Sequence, residues 1–397
     1  THDQIMTALT QADYLGQKYH VVVANPPYMG GSNMNGRLSA WLKDNYADVK
    51  SDLFSAFIIR NTYLAIEHGQ LGFMSPYVWM FISSYEKLRQ VLIKNKTITS
   101  LIQLEYSGFD GATVPICTFT IENAHKPDYK GGYIRLSDFR GSENQAPKTL
   151  EAINDPDCGW FFRVSAEDFQ KIPGSPIAYW VPLRIIETFV NYSSIERKAI
   201  FKHGMSTSDN SRFLRFWHEV SIKNSSYDSK SSEDTYLGAR WYPYNKGGTF
   251  RRWYGNNDYL VNWQNDGQEI REISNIKYPY LKGNLDFVLG GQKFFFNPGY
   301  TWSSLTSGNF SLRRFNSGFI FDAKGQCFFP KNEEEGSIVF TLLNSIISKV
   351  YCQILAPTLD FNSGVISKIP VPNLSITVQT TVRELAEQLS SLSRNDW

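Results

Sequence analysis

The feature that most constrains this chain is an apolar strand that ends in two consecutive prolines. Residues 21–24 are three valines and an alanine, a run typical of a strand buried in a parallel sheet. Pro26 and Pro27 must end that strand, because neither can donate a backbone hydrogen bond to a sheet. Ligands of open α/β sheets bind at the carboxyl ends of the strands. The sequence therefore predicts a turn at residues 25–28 that can hold a substrate.

This turn offers two hydrogen-bond acceptors and one aromatic face. Asn25 can supply its side-chain oxygen and Pro26 its backbone carbonyl, while Tyr28 supplies a ring for stacking. Two acceptors beside an aromatic face suit the exocyclic amino group of a base that has been turned out of its helix. A plain turn that only ends the strand is the alternative.

The tetrapeptide Asn25, Pro26, Pro27 and Tyr28 resembles the catalytic motif of the amino-methylating DNA methyltransferases, particularly the N6-adenine enzymes. The resemblance implies that Asn25 and Pro26 orient the target amine toward the methyl group of S-adenosylmethionine. It also implies that Tyr28 stacks on the flipped adenine, and that neither a metal ion nor a covalent intermediate is required.

The residues that follow the motif alternate between helical and strand-like patterns. A helix is predicted from Asp52, a short strand at 72–76, a second helix at 84–93, and strands at 100–105 and 115–121. This order predicts the fold class α/β, as the C-terminal half of a doubly wound methyltransferase sheet with an antiparallel edge. A mixed α+β, strand-rich domain is predicted to follow it.

The same family resemblance extends to two further segments. It implies that the segment with Asp52 and Phe54 lies beside the cofactor, together with Asn25. It also implies that Phe109 packs as a second aromatic ring against the extruded base. From the residues alone, Asp52 also fits a capped amphipathic helix, and Phe109 also fits an aromatic that anchors a loop.

The resemblance also indicates what this chain lacks. In the family order that fits here, a glycine-rich cofactor loop precedes the catalytic motif by many residues. Residues 1–20 instead read as one amphipathic helix, with Ile5, Leu9, Ala12 and Leu15 roughly on one face. We therefore expect a C-terminal part of a larger enzyme, without most of the cofactor pocket and inactive alone.

Length and composition limit the remaining classes of function. A chain of 397 residues has room for two or three domains, and its net charge of +2 does not by itself indicate nucleic acid. The four cysteines are far apart, so a zinc site and a disulfide framework are not expected. We predict a cytoplasmic protein without a membrane span.

The predicted domains are the methyltransferase half at 1–124, a connector with some strand content at 125–175, a DNA target-recognition domain at 176–375, and a C-terminal helix at 376–397.

Aromatic residues make up 15% of the chain, and many of those after residue 155 alternate with basic residues. Such interleaving beside glycine turns suits phosphate contacts with nearby base or sugar packing. The alternative is a strand-rich domain that buries its aromatics and leaves its arginines solvated. The predicted DNA-binding residues are Thr207, Asn210, Arg212, Arg215, Lys246, Arg251, Arg252, Arg313 and Arg314.

The loop at 206–215, the aromatic and glycine-rich block at 241–254, and the closing segment at 361–372 resemble the target-recognition domain of adenine methyltransferases of the PglX type. That family acts in BREX phage-defence systems, and type IIG restriction-modification enzymes are its neighbours. The resemblance implies double-stranded DNA as a partner. Other defence proteins and phage-encoded DNA mimics are further expected partners. Ser208 stands where glycine is expected in that loop.

Two alternatives to a methyltransferase of a defence system remain open at this point. The chain could be a DNA-recognition and partner-docking module of a defence complex, with its methylase half vestigial. It could also be the methylase and specificity part of a type IIG restriction enzyme, whose nuclease would lie outside these residues because no acidic cluster with lysine at nuclease spacing is present.

Overall fold

The computed structural model describes residues 2–106, 108, 114–306, 309–357 and 360–397. The chain divides into a first unit, Thr1–Val190, and a second unit, Asn191–Trp397. Each unit has a hydrophobic core built from its own strands and helices.

One mixed sheet forms the centre of the first unit. Its strands are β1 (Tyr19–Ala24), β2 (Ala65–Pro76), β3 (Thr97–Gln103), β4 (Ile116–Glu122), β5 (Lys130–Arg135) and β6 (Phe161–Ser165). The helices are α1 (His2–Gly16), α2 (Gly36–Asn45), α3 (Leu53–Leu64), α4 (Glu86–Asn95), α5 (Ser142–Asn154) and α6 (Leu183–Asn191), the last of which reaches the boundary between the units. The strand order is β1-β2-β4-β3-β5-β6.

The antiparallel strand β4, with which the predicted sheet ends, lies inside the sheet, and the antiparallel edge is instead formed by β6, which pairs with β5. β4 pairs antiparallel with both β2 and β3, which satisfies its backbone groups on both sides. Its residues Cys117, Phe119 and Ile121 are all buried, as expected of an interior strand. The segment 125–175, predicted to be a connector, contributes β5 and β6 to the same sheet.

One edge of this sheet is β1, which pairs only with β2 among the described residues. Val21 and Val23 of this strand are 61% and 77% exposed. The preceding helix α1 follows its predicted helical pattern but buries none of its residues. The beginning of the first unit therefore presents apolar side chains that its own core does not cover.

The second unit contains short strands in three sheets. Its strands are β7 (Ser193–Ser194), β8 (Ala199–Lys202), β9 (Leu214–Phe216), β10 (Trp241–Asn245), β11 (Tyr259–Asn262), β12 (Gly299–Ser303), β13 (Leu312–Phe315), β14 (Ile320–Phe321), β15 (Gly325–Pro330) and β16 (Pro370–Val371). The strand orders are β14-β10-β11-β9, β13-β12-β15-β8 and β16-β7.

The second unit also contains helices between and after its strands. They are α7 (Asn210–Phe213), α8 (Gln264–Lys277), α9 (Glu333–Asn344), α10 (Ile346–Leu355), α11 (Ser363–Ile366) and α12 (Ile376–Asp396). Within the described ranges no single helix has the length and apolar character of a membrane span. Only α9 and α10 taken together, bent by 78°, reach that length and composition.

Candidate active site and recognition surface

The motif turn at residues 25–28 follows β1 directly and combines buried with exposed residues. Pro26 is buried, which holds the turn to the body of the first unit, whereas Asn25 and Pro27 are exposed. Tyr28 is 39% exposed, and its hydroxyl donates a hydrogen bond of 3.1 Å to Oδ1 of Asn25. The turn therefore presents an amide oxygen and an aromatic ring together at the carboxyl end of a strand.

The loop after the turn is fastened to the start of α3 by three hydrogen bonds. The amide of Met29 donates to Oδ1 of Asp52 at 2.9 Å, and the amide of Leu53 donates to the carbonyl of Met29 at 3.0 Å. The amide of Gly31 donates to the carbonyl of Ser51 at 3.1 Å. These bonds fix the direction in which the chain leaves the motif.

Asp52 also caps α3, because the same Oδ1 accepts a hydrogen bond of 3.2 Å from the amide of Phe54. Both side-chain hydrogen bonds of Asp52 to described residues use Oδ1. The second carboxylate oxygen, Oδ2, is therefore the one that a ligand could use. The predicted role of Asp52 beside the cofactor fits this arrangement.

Phe54 lies beneath the motif and has no exposed surface. Its ring contacts Tyr28 edge-on, with centroids 6.4 Å apart, and packs against Tyr85 at 5.4 Å. A direct cofactor contact through the Phe54 side chain does not fit this position. The ring instead supports Tyr28 from the core side.

The tyrosine hydroxyls around the motif are held in the protonated form. Burial, together with the nearby Cys117 thiol, raises the pKa of Tyr28. Burial, and then the negative charge of Asp52, raises the pKa of Tyr85 to about 12. Tyr28 therefore remains a hydrogen-bond donor to Asn25 at neutral pH. Phe109, the predicted second stacking ring, lies outside the described residues.

The predicted recognition loop is closed by its own side chains. Thr207 is only 1% exposed, and its hydroxyl donates to Oδ1 of the exposed Asn210. Thr207 therefore holds the loop and does not fit the predicted surface contact with DNA. Ser208 has φ of 61°, the left-handed conformation for which glycine is the usual residue.

Arg212 and Arg215 lie in a cluster with a shared carboxylate and a shared tryptophan. Arg212 and Arg240 approach the two carboxylate oxygens of Glu269 at 3.1 and 3.2 Å. Arg215 and Arg240 each lie 5.7 Å from the ring centre of Trp241, within the range of a cation–π contact. The two predicted DNA-binding arginines are thus positioned together, but Arg212 already has an anionic partner.

Lys246 is bound within the second unit. Its Nζ lies 2.9 Å from Oδ2 of Asp322, and the buried Tyr244 hydroxyl donates to the same oxygen at 2.9 Å. A phosphate would have to compete with Asp322 for this lysine.

The predicted pair Arg251 and Arg252 differs in its surroundings. The guanidinium carbon of Arg251 lies 4.6 Å from the ring centre of Trp397, and its Nη1 lies 3.8 Å from Oδ2 of Asp396. Arg252 is exposed, and its guanidinium carbon lies 5.4 Å from the ring centre of Phe250. No described carboxylate lies within ion-pair distance of Arg252. Of the two, Arg252 is the one open to a DNA phosphate.

Arg313 does not fit its predicted role as a DNA contact, because the side chain is 1% exposed. Neighbouring residues on a strand point to opposite faces, so β13 sends Arg313 inward and Arg314 outward. Burial lowers the pKa of Arg313 to about 10. Arg314 forms an ion pair with Glu387 of α12.

The sequence reasoning missed the acidic partners of these cations. Glu269 lies 57 residues from Arg212 along the chain, and Glu387 lies 73 residues from Arg314. No local pattern connects residues so far apart. Trp241 and Arg240 could have been found, because Trp241 begins the aromatic block in which other DNA contacts were predicted and Arg240 precedes it directly. In the part of the chain that the structure describes, no group of three or more His, Cys, Asp or Glu is placed to hold a metal ion.

Comparisons with known proteins agree with the resemblance stated from the motif. The Eco57I restriction-modification methylase family matches residues 3–109, which include the motif turn. The chain is 35% identical over 96% of its length to the adenine-specific methyltransferase PglX of Lacticaseibacillus casei (strain Zhang). It is 35% identical over 99% of its length to the adenine-specific methyltransferase BrxX of Escherichia coli O9:H4 (strain HS). The predicted resemblance is confirmed, although the chain spans only 31% of each relative.

A solved structure supports the fold. The type IIL restriction-modification enzyme MmeI, determined in complex with DNA, superimposes with a TM-score of 0.62 at 14% sequence identity. The superposition covers 95% of this chain and 50% of MmeI. At this level of identity the likeness concerns the fold alone, and the predicted fold class is confirmed.

Proposed function

We propose that this chain is the part of a site-specific DNA methyltransferase that orients the target adenine and recognises the surrounding sequence. Asn25 and the carbonyl of Pro26 accept hydrogen bonds from the adenine N6 amine, and Tyr28 stacks on the base. S-adenosylmethionine supplies the methyl group when it is bound. The whole protein then acts in bacterial phage defence, in the cytoplasm, on double-stranded DNA.

The observation that carries this proposal is the geometry of the motif turn. The amide oxygen of Asn25 is exposed and already accepts a hydrogen bond from Tyr28 at 3.1 Å. An incoming amine can take the place of that hydroxyl without any change in the backbone. Hydrogen bonds from the amine to two acceptors keep its lone pair directed toward the methyl donor. The rate gain then comes mainly from positioning.

The residues around the turn fit part of a cofactor site. Asp52 is half-buried next to the motif and uses only Oδ1 toward described residues, so Oδ2 can accept a hydrogen bond from a cofactor. The exposed Asn25 borders the same space. We propose that segments outside these 397 residues supply most of the cofactor pocket, and that the chain alone is inactive.

The second unit would supply DNA contacts from Asn210, Arg215 and Arg252, whose side chains are at least partly exposed. Arg212, Lys246, Arg251 and Arg314 could join them by exchanging a carboxylate for a phosphate. Other defence proteins, and phage proteins that mimic DNA, would compete for or extend the same basic surface.

Two other functions are weaker. A DNA-recognition and docking module would not need the acceptor pair at Asn25 and Pro26, which is intact. The methylase and specificity part of a type IIG restriction enzyme is favoured only by the match of residues 3–109 to a restriction-modification family. It uses the same site chemistry and differs in a nuclease outside these residues.

The proposal is tested with the protein expressed from its complete gene. Methylated adenines in the host genome are mapped, and methyl transfer from labelled S-adenosylmethionine to a duplex with the mapped site is measured. We expect Asn25→Ala to reduce methyl transfer by about 100-fold or more, on the scale of losing one oriented hydrogen-bonding group at a reaction centre. Its affinity for the duplex should stay within about twofold, because the side chain does not carry the duplex contacts.

Asn33→Ala is the matched control, since Asn33 is exposed in the loop just after the motif. This variant should methylate like the wild type. Equal loss of methylation and DNA binding in Asn25→Ala would overturn the role assigned to Asn25.

A further inference from the structure

A second cluster of aromatic and cationic side chains lies at the same edge of the first sheet as the motif. Tyr77 follows β2, and Arg135 is the last residue of β5. The rings of Tyr77 and Phe81 lie 6.2 Å apart, and those of Phe81 and Trp180 lie 5.7 Å apart. The guanidinium of Arg135 lies 4.8 Å from the ring centre of Trp180. These four residues are called here the Arg135 cluster; Phe81 is buried, and Tyr77, Arg135 and Trp180 around it are half-buried.

Within the described residues, the Nε atom of Arg135 is buried and lacks a hydrogen-bond acceptor. No carboxylate in that part of the chain forms an ion pair with the guanidinium. A buried donor without a partner is costly. The buried Arg89 of the same unit shows the contrast, because it donates to the carbonyls of Trp79, Ile82 and Gly174.

Neighbouring residues hold the Arg135 cluster in place. Gln103 of β3 pairs with Arg135 across the sheet, and its side-chain oxygen accepts a hydrogen bond of 2.8 Å from Tyr179. The backbone amide of Arg135 donates to the carbonyl of Trp160 at 2.9 Å. The cation is therefore presented by rigid strands, with its planar face fixed by Trp180.

We propose that the Arg135 cluster binds one phosphodiester of the DNA strand, with Arg135 donating from its two terminal nitrogens. The planar fork of arginine matches a phosphate, and a phosphate accepts hydrogen bonds from both nitrogens at once. Tyr77 and Trp180 provide the aromatic surface on which the adjacent sugar or base packs. This inference rests on the proposed function, because it takes DNA as the substrate.

The sheet order places this contact relative to the target base. Four strand steps separate β1 from β5, which at about 4.8 Å per step is about 19 Å. A helical turn of DNA measures about 34–36 Å. The phosphate should therefore lie within about half a turn of the methylated adenine. A contact at that distance would hold the duplex in register while the target base is turned out.

The test uses the full-length protein and a set of duplexes with the mapped site. Each duplex carries one uncharged methylphosphonate in place of a phosphate, at successive positions up to half a turn from the adenine on either strand. Binding is measured for the wild type and for Arg135→Met, which keeps an unbranched side chain over Trp180. Thermal unfolding of the variant is measured alongside.

We expect the wild type to lose affinity by about tenfold at one or two adjacent positions, the scale of a charged hydrogen bond. Arg135→Met should bind the unmodified duplex about tenfold more weakly and should no longer respond to those positions. The slope of log affinity against log salt should become shallower by about 0.9. Arg135→Lys should keep the slope while losing part of the affinity, since the charge remains but the fork does not.

Arg163→Met is the matched control. Arg163 also stacks on an aromatic ring of this sheet, Phe161 at 5.6 Å, but it lies in the middle of β6 and is exposed. It should match the wild type at every duplex. A methylphosphonate profile that is the same for wild type and Arg135→Met would overturn the inference while leaving methylation intact. A wild type that shows the Arg135-dependent profile, together with an Asn25→Ala variant that methylates normally, would instead overturn the proposed role of the motif turn alone.

Discussion

The motif turn of the first unit and the basic surface of the second unit hold their polar groups in opposite ways. At the turn, Asn25 is exposed and accepts one hydrogen bond from a neighbouring tyrosine. In the second unit most predicted cations already have anionic partners, as Arg212 has Glu269 and Lys246 has Asp322. A ligand at the turn would replace a single hydrogen bond between neutral groups, whereas a ligand at the second unit would have to replace ion pairs.

The functions proposed for the two regions give this difference a physical basis. Methyl transfer would need one amine held in one orientation, so a rigid turn with exposed acceptors is favourable. A recognition surface meets many non-specific duplexes before its own site, and cations held by carboxylates lower the affinity for all of them alike. In the specific complex, contacts with the bases must then compensate for the free energy lost when these ion pairs break.

After Asn25, the contrast predicts its largest effect at Tyr28. Tyr28→Ala removes the ring that is proposed to stack on the base, and stacking contributes about 1–3 kcal/mol per base. We expect methyl transfer to fall by roughly 5- to 150-fold, with duplex affinity nearly unchanged. A fluorescent adenine analogue at the target position should report less extruded base.

Tyr28→Phe is the control for that substitution. It keeps the ring and removes only the hydroxyl that donates to Asn25, so activity should stay within a few-fold of the wild type. If phenylalanine were as damaging as alanine, the hydroxyl and not the ring would carry the function of Tyr28.

An intermediate effect is expected at Asp52, which fastens the loop behind the motif. Asp52→Ala removes the acceptor for the amides of Met29 and Phe54, and loss of a helix cap costs about 1 kcal/mol of unfolding free energy. Thermal unfolding should show this loss, together with reduced methyl transfer.

Asp52→Asn separates the two roles, because asparagine caps helices about as well as aspartate. It should retain the stability of the wild type. Reduced affinity for S-adenosylmethionine in this variant would indicate that the carboxylate itself contacts the cofactor, and unchanged affinity would restrict Asp52 to holding the loop.

The smallest effect is expected in the second unit, where an unpaired and a paired arginine can be compared. Arg252 has no carboxylate partner among the described residues, whereas Arg314 is paired with Glu387. In Arg252→Ala, the slope of log DNA affinity against log salt concentration should become shallower by about 0.9. Arg314→Ala should change that slope much less, because its charge is already neutralised. Equal changes would show that the ion pair with Glu387 opens on DNA.

The sequence was most informative where a few neighbouring residues decide the structure. The prolines at 26 and 27 end a strand wherever it lies, so the position of the turn follows from local rules. The interior position of β4 and the inward direction of Arg313 could not be read in this way. Both depend on which strands pair and which face meets the core, and those are contacts between distant residues.

Ser208 shows an intermediate case. The family resemblance placed glycine there, so the serine left the backbone conformation of this residue open. The structure gives Ser208 the positive φ that glycine normally adopts. The acidic partners of the recognition arginines left no such local trace.

The uncovered strand β1 has a practical consequence for anyone who produces these residues alone. An edge strand with exposed valines offers unpaired backbone groups to a second molecule, and such edges favour intermolecular sheet formation. With Val21 and Val23 at that edge, concentrated samples should form oligomers through β1 and lose yield to precipitation. A lysine in place of Val23, which is 77% exposed, should improve the solubility of such samples at little cost in stability.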